Sequence, residues 1–381
     1  MNTTTDETKY TPAAEAKTAA GTAAAPASGS TAAADGALSV SERLELAITE
    51  IRRQLPGLEI LEQEPMSLHC SFRTGGPVRA FAAPDSVTSF AKVLSILKDR
   101  RLAPYILGNG TNVVFPDEGE SCLFVLSTEK LQRLFLLPDG SVYAEAGVSL
   151  AHLASFALEQ ELAGLEFASG IPGTVGGGAV MNAGAYGGEL KDVLQSVVLY
   201  YLQDQSLYEM TADQCAFGYR SSYFQKTPGC VILSAVFSLR QGSREEIAGK
   251  MKELNARRRE KQPLELPSAG SAFRRPEGHY AAALIEECGL KGYRIGGAQV
   301  SEKHAGFIVN TGNATSKDLY DLLVHVRNTV YREKGIPLEP EIILLSPGYV
   351  LEDNGPRLRR NTVFSDAPAS RTDAPDTEKE P

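Results

Sequence analysis

The glycine-rich segment 164–190, GLEFASGIPGTVGGGAVMNAGAYGGEL, has the residue types of a backbone anion site. Nine of its 27 residues are glycine, and glycine disfavours a helix interior by about 1 kcal/mol relative to alanine, so the pattern predicts a loop. Apolar residues such as Ile171, Val175 and Met181 indicate that the loop is buried rather than a solvated linker. Backbone N–H groups of such a loop approach a ligand closely, most commonly a pyrophosphate. A structural crossover without a ligand stays open as the alternative.

A second candidate anion loop, GNGTN at residues 108–112, lies between the short apolar runs Tyr105–Leu107 and 113–115. The dinucleotide fingerprint of dehydrogenases requires glycine at position 113 and a helix after it. This chain has Val113 there, followed by two more apolar residues. The pattern therefore predicts a phosphate-type loop between two strands and not the dehydrogenase dinucleotide fold.

Metal and disulfide chemistry have little support in the sequence. The five cysteines are scattered, form no Cys-x-x-Cys pair, and are odd in number, and no two histidines share a helix face at metal spacing. We expect reduced, buried cysteines and no metal site.

Composition narrows the class of protein further. The chain has 381 residues, 43% hydrophobic and 22% charged, with a formal net charge of -9. This length allows two or three lobes with separate cores, and the acidic balance argues against nucleic acid as the main partner. No apolar run is long enough to span a bilayer, and the N-terminus lacks a signal peptide, so we expect a cytoplasmic protein. Residues 1–37 and 351–381 are expected to be disordered tails.

Capping residues and apolar periodicity place the elements that must hold these loops. Helices are predicted over 39–55, 86–100, after Ser149, over 243–259, over 280–288 and over 316–334. The basic run 257–261 is interpreted as a solvated helix end. Strands are predicted at 105–107, 113–115, 196–202, 207–211, 231–239, 298–300, 306–309 and 341–345, with a strand, tight turn and strand within 67–84 and a polar loop at 267–273.

Seven segments, in order, resemble the UDP-N-acetylenolpyruvoylglucosamine reductase (MurB) family of peptidoglycan synthesis. They are SFRTGG (71–76), LGNGTNVV (107–114), the central segment 164–190, FGYRSSYFQK (217–226), PSAGSAF (267–273), GLKGYRIGGAQVSEKHAGFIVN (289–310) and LEPEI (338–342). The resemblance covers residues 38–346 and is most specific in the central segment. The short stretch between Arg220 and Ser271 is similar to the shorter subclass. Gly178, Val180 and Ser221 depart from the usual family residues, at positions that are not catalytic.

The resemblance implies an α+β fold: a vanillyl-alcohol-oxidase/PCMH-type FAD-binding fold of two subdomains plus a C-terminal α+β substrate-binding domain. The implied bounds are 38–103 for the first FAD-binding subdomain with the C-terminal strand 336–350, 104–242 for the second, and 243–335 for the substrate-binding domain.

The resemblance also implies the activity, which is NADPH-dependent reduction of UDP-N-acetylglucosamine enolpyruvate to UDP-N-acetylmuramate through bound FAD. Ser271 matches the proton donor, Arg220 the cation facing the enolate, and Glu341 the assisting acid, with Glu339 as a competitor. The matched FAD-binding residues are Arg73, Thr74, Gly108, Asn109, Gly110, Thr111, Asn112, Gly170, Ile171, Gly173, Thr174, Gly176 and Gly177.

Without the resemblance, the three catalytic candidates read as a loop serine, a surface arginine at a strand end and a strand-edge carboxylate. Two other functions stay open: a related flavin oxidoreductase acting on a different sugar or alcohol, and a non-catalytic protein that binds FAD or a UDP-sugar. We expect a monomer with UDP-sugar and NADPH as its partners. Because no separate dinucleotide domain is predicted, NADPH and the sugar are expected to alternate at one site.

Overall fold

The structure is a computed structural model, and it describes residues 38–345. The predicted disordered tails at 1–37 and 351–381 lie outside the described residues, as does the end of the strand assigned to 336–350. No helix within the described range is both long and apolar enough to cross a membrane.

Eight α-helices are present in residues 38–345, and most of them begin at a serine or threonine whose side chain accepts from the backbone of the first turn. The capping box predicted at Ser39 and Glu42 is formed, and Gly335 ends the last long helix in a left-handed conformation. The helices are α1 (Val40–Gln54), α2 (Val87–Asp99), α3 (Leu150–Glu159), α4 (Val175–Met181), α5 (Tyr223–Lys226), α6 (Arg244–Lys261), α7 (Ala281–Glu287) and α8 (Ser316–Lys334).

The strands of the described chain are mostly short and form three larger sheets and three two-stranded pairs. They are β1 (Ile60–Pro65), β2 (Pro77–Ala82), β3 (Tyr105–Leu107), β4 (Val113–Val114), β5 (Glu120–Ser127), β6 (Leu134–Leu136), β7 (Val142–Glu145), β8 (Leu162–Ala163), β9 (Gly184–Ala185), β10 (Gly188–Glu189), β11 (Leu194–Tyr201), β12 (Ser206–Thr211), β13 (Cys230–Phe237), β14 (Arg240–Gln241), β15 (Ser268–Ser271), β16 (Arg294–Ile295), β17 (Ala298–Val300), β18 (Phe307–Asn310) and β19 (Ile343–Leu344).

The first sheet has the order β1-β2-β5-β3, with β2 and β3 parallel to β5. Helices α1 and α2 contact each other, and α1 contacts β5. Their apolar faces and the sheet build one core, in which Leu44, Phe90 and Phe124 are fully buried. The helix periodicity in the sequence predicted these inward faces.

The second sheet is fully antiparallel, in the order β12-β11-β13-β7-β6. The hairpin predicted around Asp204 and Gln205 joins β11 to β12. Helices α3 and α4 contribute Leu153 and Val175 to the core on this sheet, and α4 contacts β13. The sheet thus supports the helix inside the glycine-rich segment.

The third sheet, β15-β18-β17-β16, is antiparallel and packs against α7 and α8. Phe72 and Val114, from the N-terminal half of the chain, are buried in the same core as Leu323 of α8. Because these residues belong to one core, the third sheet lies beside the loop at 108–112.

The C-terminal end of the described chain returns to the first half. Strand β19 pairs in parallel with β4, so that Ile343 lies opposite Val113. The N–H of Ile343 donates to the carbonyl of Asn112 at 2.9 Å. This pairing brings residue 341 next to the GNGTN loop, although 228 residues separate Val113 from Glu341 in sequence.

Three local predictions were wrong. Within the glycine-rich segment, residues 175–181 form helix α4 although three of the seven are glycine. Thr174 caps this helix, and its close packing against Ala146 compensates for the low helix propensity of glycine. The loop predicted at 267–273 contains strand β15, which pairs with β18. In the segment 67–84, the first strand lies earlier, at Ile60–Pro65, and a single 3-10 turn follows it.

Replacing Gly176 by alanine is expected to destabilise the protein by about 1–3 kcal/mol, the usual cost of overpacking a core. Its Cβ would lie 2.9 Å from the Cβ of Ala146, closer than real side chains approach. Urea unfolding measures the effect. Gly249, exposed on α6 with no atom within 4 Å of a built Cβ, is the matched control. Gly249→Ala should stabilise by about 0.5–1 kcal/mol, and stabilisation by both variants would contradict the packing argument.

Candidate active site

A cleft of about 1340 Å³ lies where the second and third sheets meet the GNGTN loop. Most of the site residues suggested by the sequence line it, although they come from distant parts of the chain. They are Arg73, Gly108, Asn109, Thr111, Asn112, Gly170, Ile171, Gly173, Thr174, Gly176, Gly177, Arg220, Ser271 and Glu341. The structure therefore brings the two glycine loops and the three catalytic candidates to one cavity.

Two of the expected cofactor residues do not line this cleft. A Cβ on Gly110 would lie 2.0 Å from the carbonyl oxygen of His69, and its φ is +59°, so close chain packing requires this glycine. Thr74 is 3% exposed, and its hydroxyl has no hydrogen-bond partner within residues 38–345. An orphaned buried hydroxyl beside Arg73 is the kind of group that a bound ligand satisfies.

The two glycine loops are tied to each other. Asn109 Nδ2 donates to the carbonyl of Pro172 at 3.0 Å, which joins the GNGTN loop to the segment before α4. A Cβ on Gly108 would lie 2.6 Å from Thr174 Oγ1. That oxygen accepts from the Gly177 N–H at 3.3 Å and caps α4. One threonine thus fixes the start of the helix and the separation of the loops.

The glycines of the two loops differ in what surrounds them. A Cβ on Gly170 would lie 2.5 Å from Asn255 Oδ1, so the side chain of Asn255 would have to move to admit a larger residue there. At Gly173 and Gly177 the nearest atoms would be 3.8 and 3.5 Å away, an ordinary contact that packing alone does not forbid. Glycine at these two positions keeps the backbone open toward the cleft. The two loops fit the pyrophosphate of the FAD that the resemblance implies.

The charges on the cleft wall also suit an anionic ligand. Four arginines face two carboxylates there, an excess of positive charge in a chain whose net charge is -9. The arginines are Arg73, Arg220, Arg258 and Arg259, and the carboxylates are those of Glu265 and Glu341. A cationic cleft with apolar walls concentrates phosphate-bearing molecules.

Arg220 is held firmly at the end of the cleft. Its Nε lies 3.0 Å from Glu341 Oε1, and its terminal nitrogens donate to the carbonyls of Gly184 at 2.8 Å and Asn182 at 3.4 Å. Its backbone has φ +49°, in the left-handed region that only a minority of non-glycine residues adopt. The guanidinium therefore has one orientation, set by its three contacts with the carbonyls of Asn182 and Gly184 and the carboxylate of Glu341.

Glu341 is the buried carboxyl of the site. Its side chain is 13% exposed, and burial raises its pKa while the positive charge of Arg220 opposes that rise. Its backbone N–H donates to the carbonyl of Ala272 at 2.9 Å, and its carbonyl accepts from Asn112 Nδ2 at 3.2 Å. The competing carboxyl of Glu339 is 76% exposed and lies 3.6 Å from Arg274, outside the cleft.

Ser271 lies at the end of strand β15 and opens into the cleft. Its residue is exposed, and its hydroxyl has no hydrogen-bond partner in the part of the chain that the structure describes. The neighbouring Ala272 donates to the carbonyl of Gly306 at 2.8 Å and accepts from Glu341. Because Ala272 directly follows Ser271 and accepts a hydrogen bond from the Glu341 N–H, the position of the Ser271 hydroxyl depends on that of the Glu341 backbone.

The sequence interpretation missed Arg258. It assigned the basic run 257–261 to a solvated helix end, but Arg258 lines the cleft, with its guanidinium 5.9 Å from the ring centre of Tyr186. Burial lowers the pKa of this guanidinium. The helical spacing of the sequence could have predicted this, because Arg258 lies on the same face of α6 as the apolar residues Met251 and Leu254.

All five cysteines lie in the described range and carry free thiols, but only Cys70 and Cys215 are buried, whereas full burial was expected of all. No group of three or more histidine, cysteine or acidic side chains within residues 38–345 is arranged to hold a metal ion.

Comparison with known proteins agrees with this geometry. Residues 78–204 match a family model described as an FAD binding domain, and residues 262–345 match the C-terminal domain of UDP-N-acetylenolpyruvoylglucosamine reductase. The reductase of Caldanaerobacter subterraneus subsp. tengcongensis is 44% identical over 298 residues, covering 78% of this chain and 97% of that protein. The Agathobacter rectalis reductase is 44% identical over 309 residues, covering 78% and 98%.

Among solved structures, the chain is similar to the UDP-N-acetylenolpyruvylglucosamine reductase of Thermus caldophilus. The TM-score is 0.64 at 33% identity, over 76% of this chain and all of that one. These matches confirm the predicted α+β fold class, an FAD-binding fold followed by a C-terminal domain. The chain belongs to the UDP-N-acetylenolpyruvoylglucosamine reductase family and is an FAD-containing oxidoreductase.

Proposed function

We propose that Arg220, Ser271 and Glu341 together carry out the family's reaction in this protein, the NADPH-dependent reduction of UDP-N-acetylglucosamine enolpyruvate to UDP-N-acetylmuramate. The observation that carries the proposal is their convergence on the cleft that also contains both glycine loops. A chain that only bound FAD or a UDP-sugar would have no need for a buried carboxyl, a fixed guanidinium and an open hydroxyl at one place.

The FAD that this cleft would hold would, once reduced by NADPH, supply the hydride for the terminal carbon of the enolpyruvyl double bond. The hydroxyl of Ser271 gives its proton to the adjacent carbon, on which negative charge has developed. A serine hydroxyl is a weak acid, but an enolate-like carbon is a strong base, so the transfer runs downhill. Because the Ser271 hydroxyl makes no hydrogen bond to residues 38–345, none of the bonds among these residues must break before the proton is transferred.

Arg220 and Glu341 act on the charge that spreads onto the substrate carboxylate. The planar guanidinium of Arg220 presents several donors in a fixed geometry, which suits an enolate and a carboxylate. Its bonds to the carbonyls of Gly184 and Asn182 hold it in place before the substrate arrives. Burial raises the pKa of Glu341, so this carboxyl takes up a proton more easily than an exposed one, and once protonated it would donate a hydrogen bond to the intermediate.

The same cleft supports our proposal for the cofactor residues. The backbones of Gly108, Asn109, Gly173 and Gly177 would hold the FAD pyrophosphate, with Thr111, Asn112, Gly170, Ile171, Thr174 and Gly176 completing the two loops. Arg73 would contribute positive charge, and the buried hydroxyl of Thr74 would gain a partner. Gly110 supports the loop through packing.

We propose two FAD-binding subdomains, expected at 38–103 and 104–242, and a substrate-binding domain at 243–335. The bound at 103 divides the first sheet, because β5 pairs with both β2 and β3, so these strands all belong to the first subdomain. A monomer in the cytoplasm, where the nucleotide sugar and NADPH are available, would serve cell-wall growth, cell shape and division.

One experiment separates this function from its alternatives. The purified yellow protein is mixed anaerobically with NADPH and then with the enolpyruvyl sugar. Bleaching of the flavin absorbance and its recovery on adding the sugar are expected. Bleaching without recovery would indicate an oxidoreductase for another sugar or alcohol, and a colourless protein that takes up no FAD would indicate a binding protein.

Ser271→Ala should leave flavin reduction by NADPH nearly unchanged and slow reoxidation by the enolpyruvyl sugar by roughly 10²–10⁴-fold, because only the second half-reaction needs the proton. Stopped-flow absorbance measures both steps. Ser271→Cys, which keeps a transferable proton, should recover part of the loss. Equal slowing of both half-reactions would remove Ser271 from the proton-donor role.

Glu341→Gln tests the buried acid through stability. A carboxyl whose pKa is raised by folding contributes stability that is present at low pH and lost as pH rises through its folded pKa, above the ordinary value of 4.5. The unfolding free energy of the wild type minus that of Glu341→Gln should therefore fall as the pH rises above 4.5. Glu339→Gln, outside the cleft, is the control. A difference that grows with pH would show that Arg220 more than offsets the burial of the carboxylate.

Steady-state kinetics test the shared cleft. If NADPH and the UDP-sugar bind in turn, double-reciprocal plots at several fixed concentrations of the second substrate should be parallel. Lines that intersect would require both substrates to be bound at once, in which case a second dinucleotide site must exist.

A further inference from the structure

The segment 71–73 connects the GNGTN loop to the strand that carries Ser271. The N–H of Ser71 donates to the carbonyl of Gly110 at 3.0 Å, and its hydroxyl donates to the carbonyl of Ser268 at 2.6 Å, across 197 residues of sequence. The buried amide of Asn310 donates to the carbonyl of the next residue, Phe72, at 2.9 Å. One serine thus touches both the cofactor loop and strand β15.

Strand β15 is irregular just before Ser271. Its pairing with β18 shifts between Ser268, which lies opposite Val309, and Ser271, which lies opposite Phe307. Three steps along β15 therefore match two steps along β18, and Gly270 adopts φ +80° to make the bulge. Bulges aim a side chain away from the regular pleat. The direction of the Ser271 hydroxyl consequently depends on where the start of the bulge is held.

The two ends of this bulge are attached to different partners. On its far side, Ala272 is bonded to Gly306 and to Glu341. On its near side, pairing with β18 fixes Ser268 only within the third sheet. The Ser71 hydroxyl adds a bond from the near side to the GNGTN loop. The separation between the cofactor loop and the start of the bulge is therefore set by this side chain.

We propose that Ser71 is a positioning residue for proton transfer: its bond to Ser268 holds the bulge so that the Ser271 hydroxyl faces the carbon adjacent to the one that receives the hydride. This inference rests on the proposed function, in which Ser271 is the proton donor. Ser71 has no part in reduction of the cofactor by NADPH, since that step uses no proton from Ser271.

The test measures the two half-reactions of Ser71→Ala by stopped-flow absorbance of the FAD-loaded enzyme. Reoxidation by the enolpyruvyl sugar should slow about tenfold, because a small displacement of a reacting group is costly. Flavin reduction by NADPH and the affinity for FAD should stay within about twofold of wild type. The solvent deuterium isotope effect on reoxidation should increase, since proton transfer becomes more strongly rate-limiting.

Two further variants test the direction of the effect. Ser71→Thr keeps the hydroxyl donor and should restore reoxidation. Ser67→Ala, four residues earlier and outside the cleft, is the matched control and should change neither half-reaction. If Ser71→Ala slows both half-reactions equally, or if threonine gives no rescue, Ser71 has only a general structural role and the proposal is wrong.

A double-mutant cycle separates this proposal from the assignment of Ser271. In a Ser271→Ala background, Ser71→Ala should cost nothing more, because residues that act through one group are not additive. The same tenfold loss in both backgrounds would overturn the positioning role while leaving Ser271 as the donor. Reoxidation at the wild-type rate in Ser271→Ala alone would overturn the donor assignment and this proposal with it.

Discussion

The return of the C-terminal segment to the GNGTN loop is the contact on which the site depends. Residues 343–344 pair in parallel with 113–114, and the same segment pairs with Ala272 through the backbone of Glu341. Three distant parts of the chain, the cofactor loop, the strand of Ser271 and the acid, therefore share one set of backbone hydrogen bonds. Backbone bonds shielded from water are costly to break, so this junction gives the side chains positions more precise than flexible loops allow.

The second constraint is the ion pair of Arg220 and Glu341. Burial of a carboxyl is unfavourable unless a cation or hydrogen bonds compensate it, and here one arginine compensates only in part. The pair is consequently a poor source of stability. It holds the guanidinium beside a carboxyl whose pKa is raised by burial, in a cleft that has an excess of positive charge.

Much of the architecture could be predicted from local pattern. Helix α8 follows from a threonine cap, an apolar stripe and a terminal glycine, and the hairpin of β11 and β12 follows from alternation around a polar turn. Prediction failed where tertiary contact outweighed local preference. Helix α4 forms despite its glycines because it packs on Ala146, and β15 is a strand because β18 offers a partner that its own residues do not signal.

The sequence by itself indicated two glycine-rich loops with the residue types of an anion site, and an order of segments that resembles one family. That resemblance supplied a serine, an arginine and a carboxyl as the catalytic candidates. The sequence could not choose between Glu339 and Glu341, which are two residues apart, or identify Arg258 as a cleft residue. Only the tertiary structure shows that Glu341 is buried against Arg220, that Glu339 is exposed and that Arg258 lines the cleft. Burial and charge partners arise from long-range packing, and local residue pattern does not contain that information.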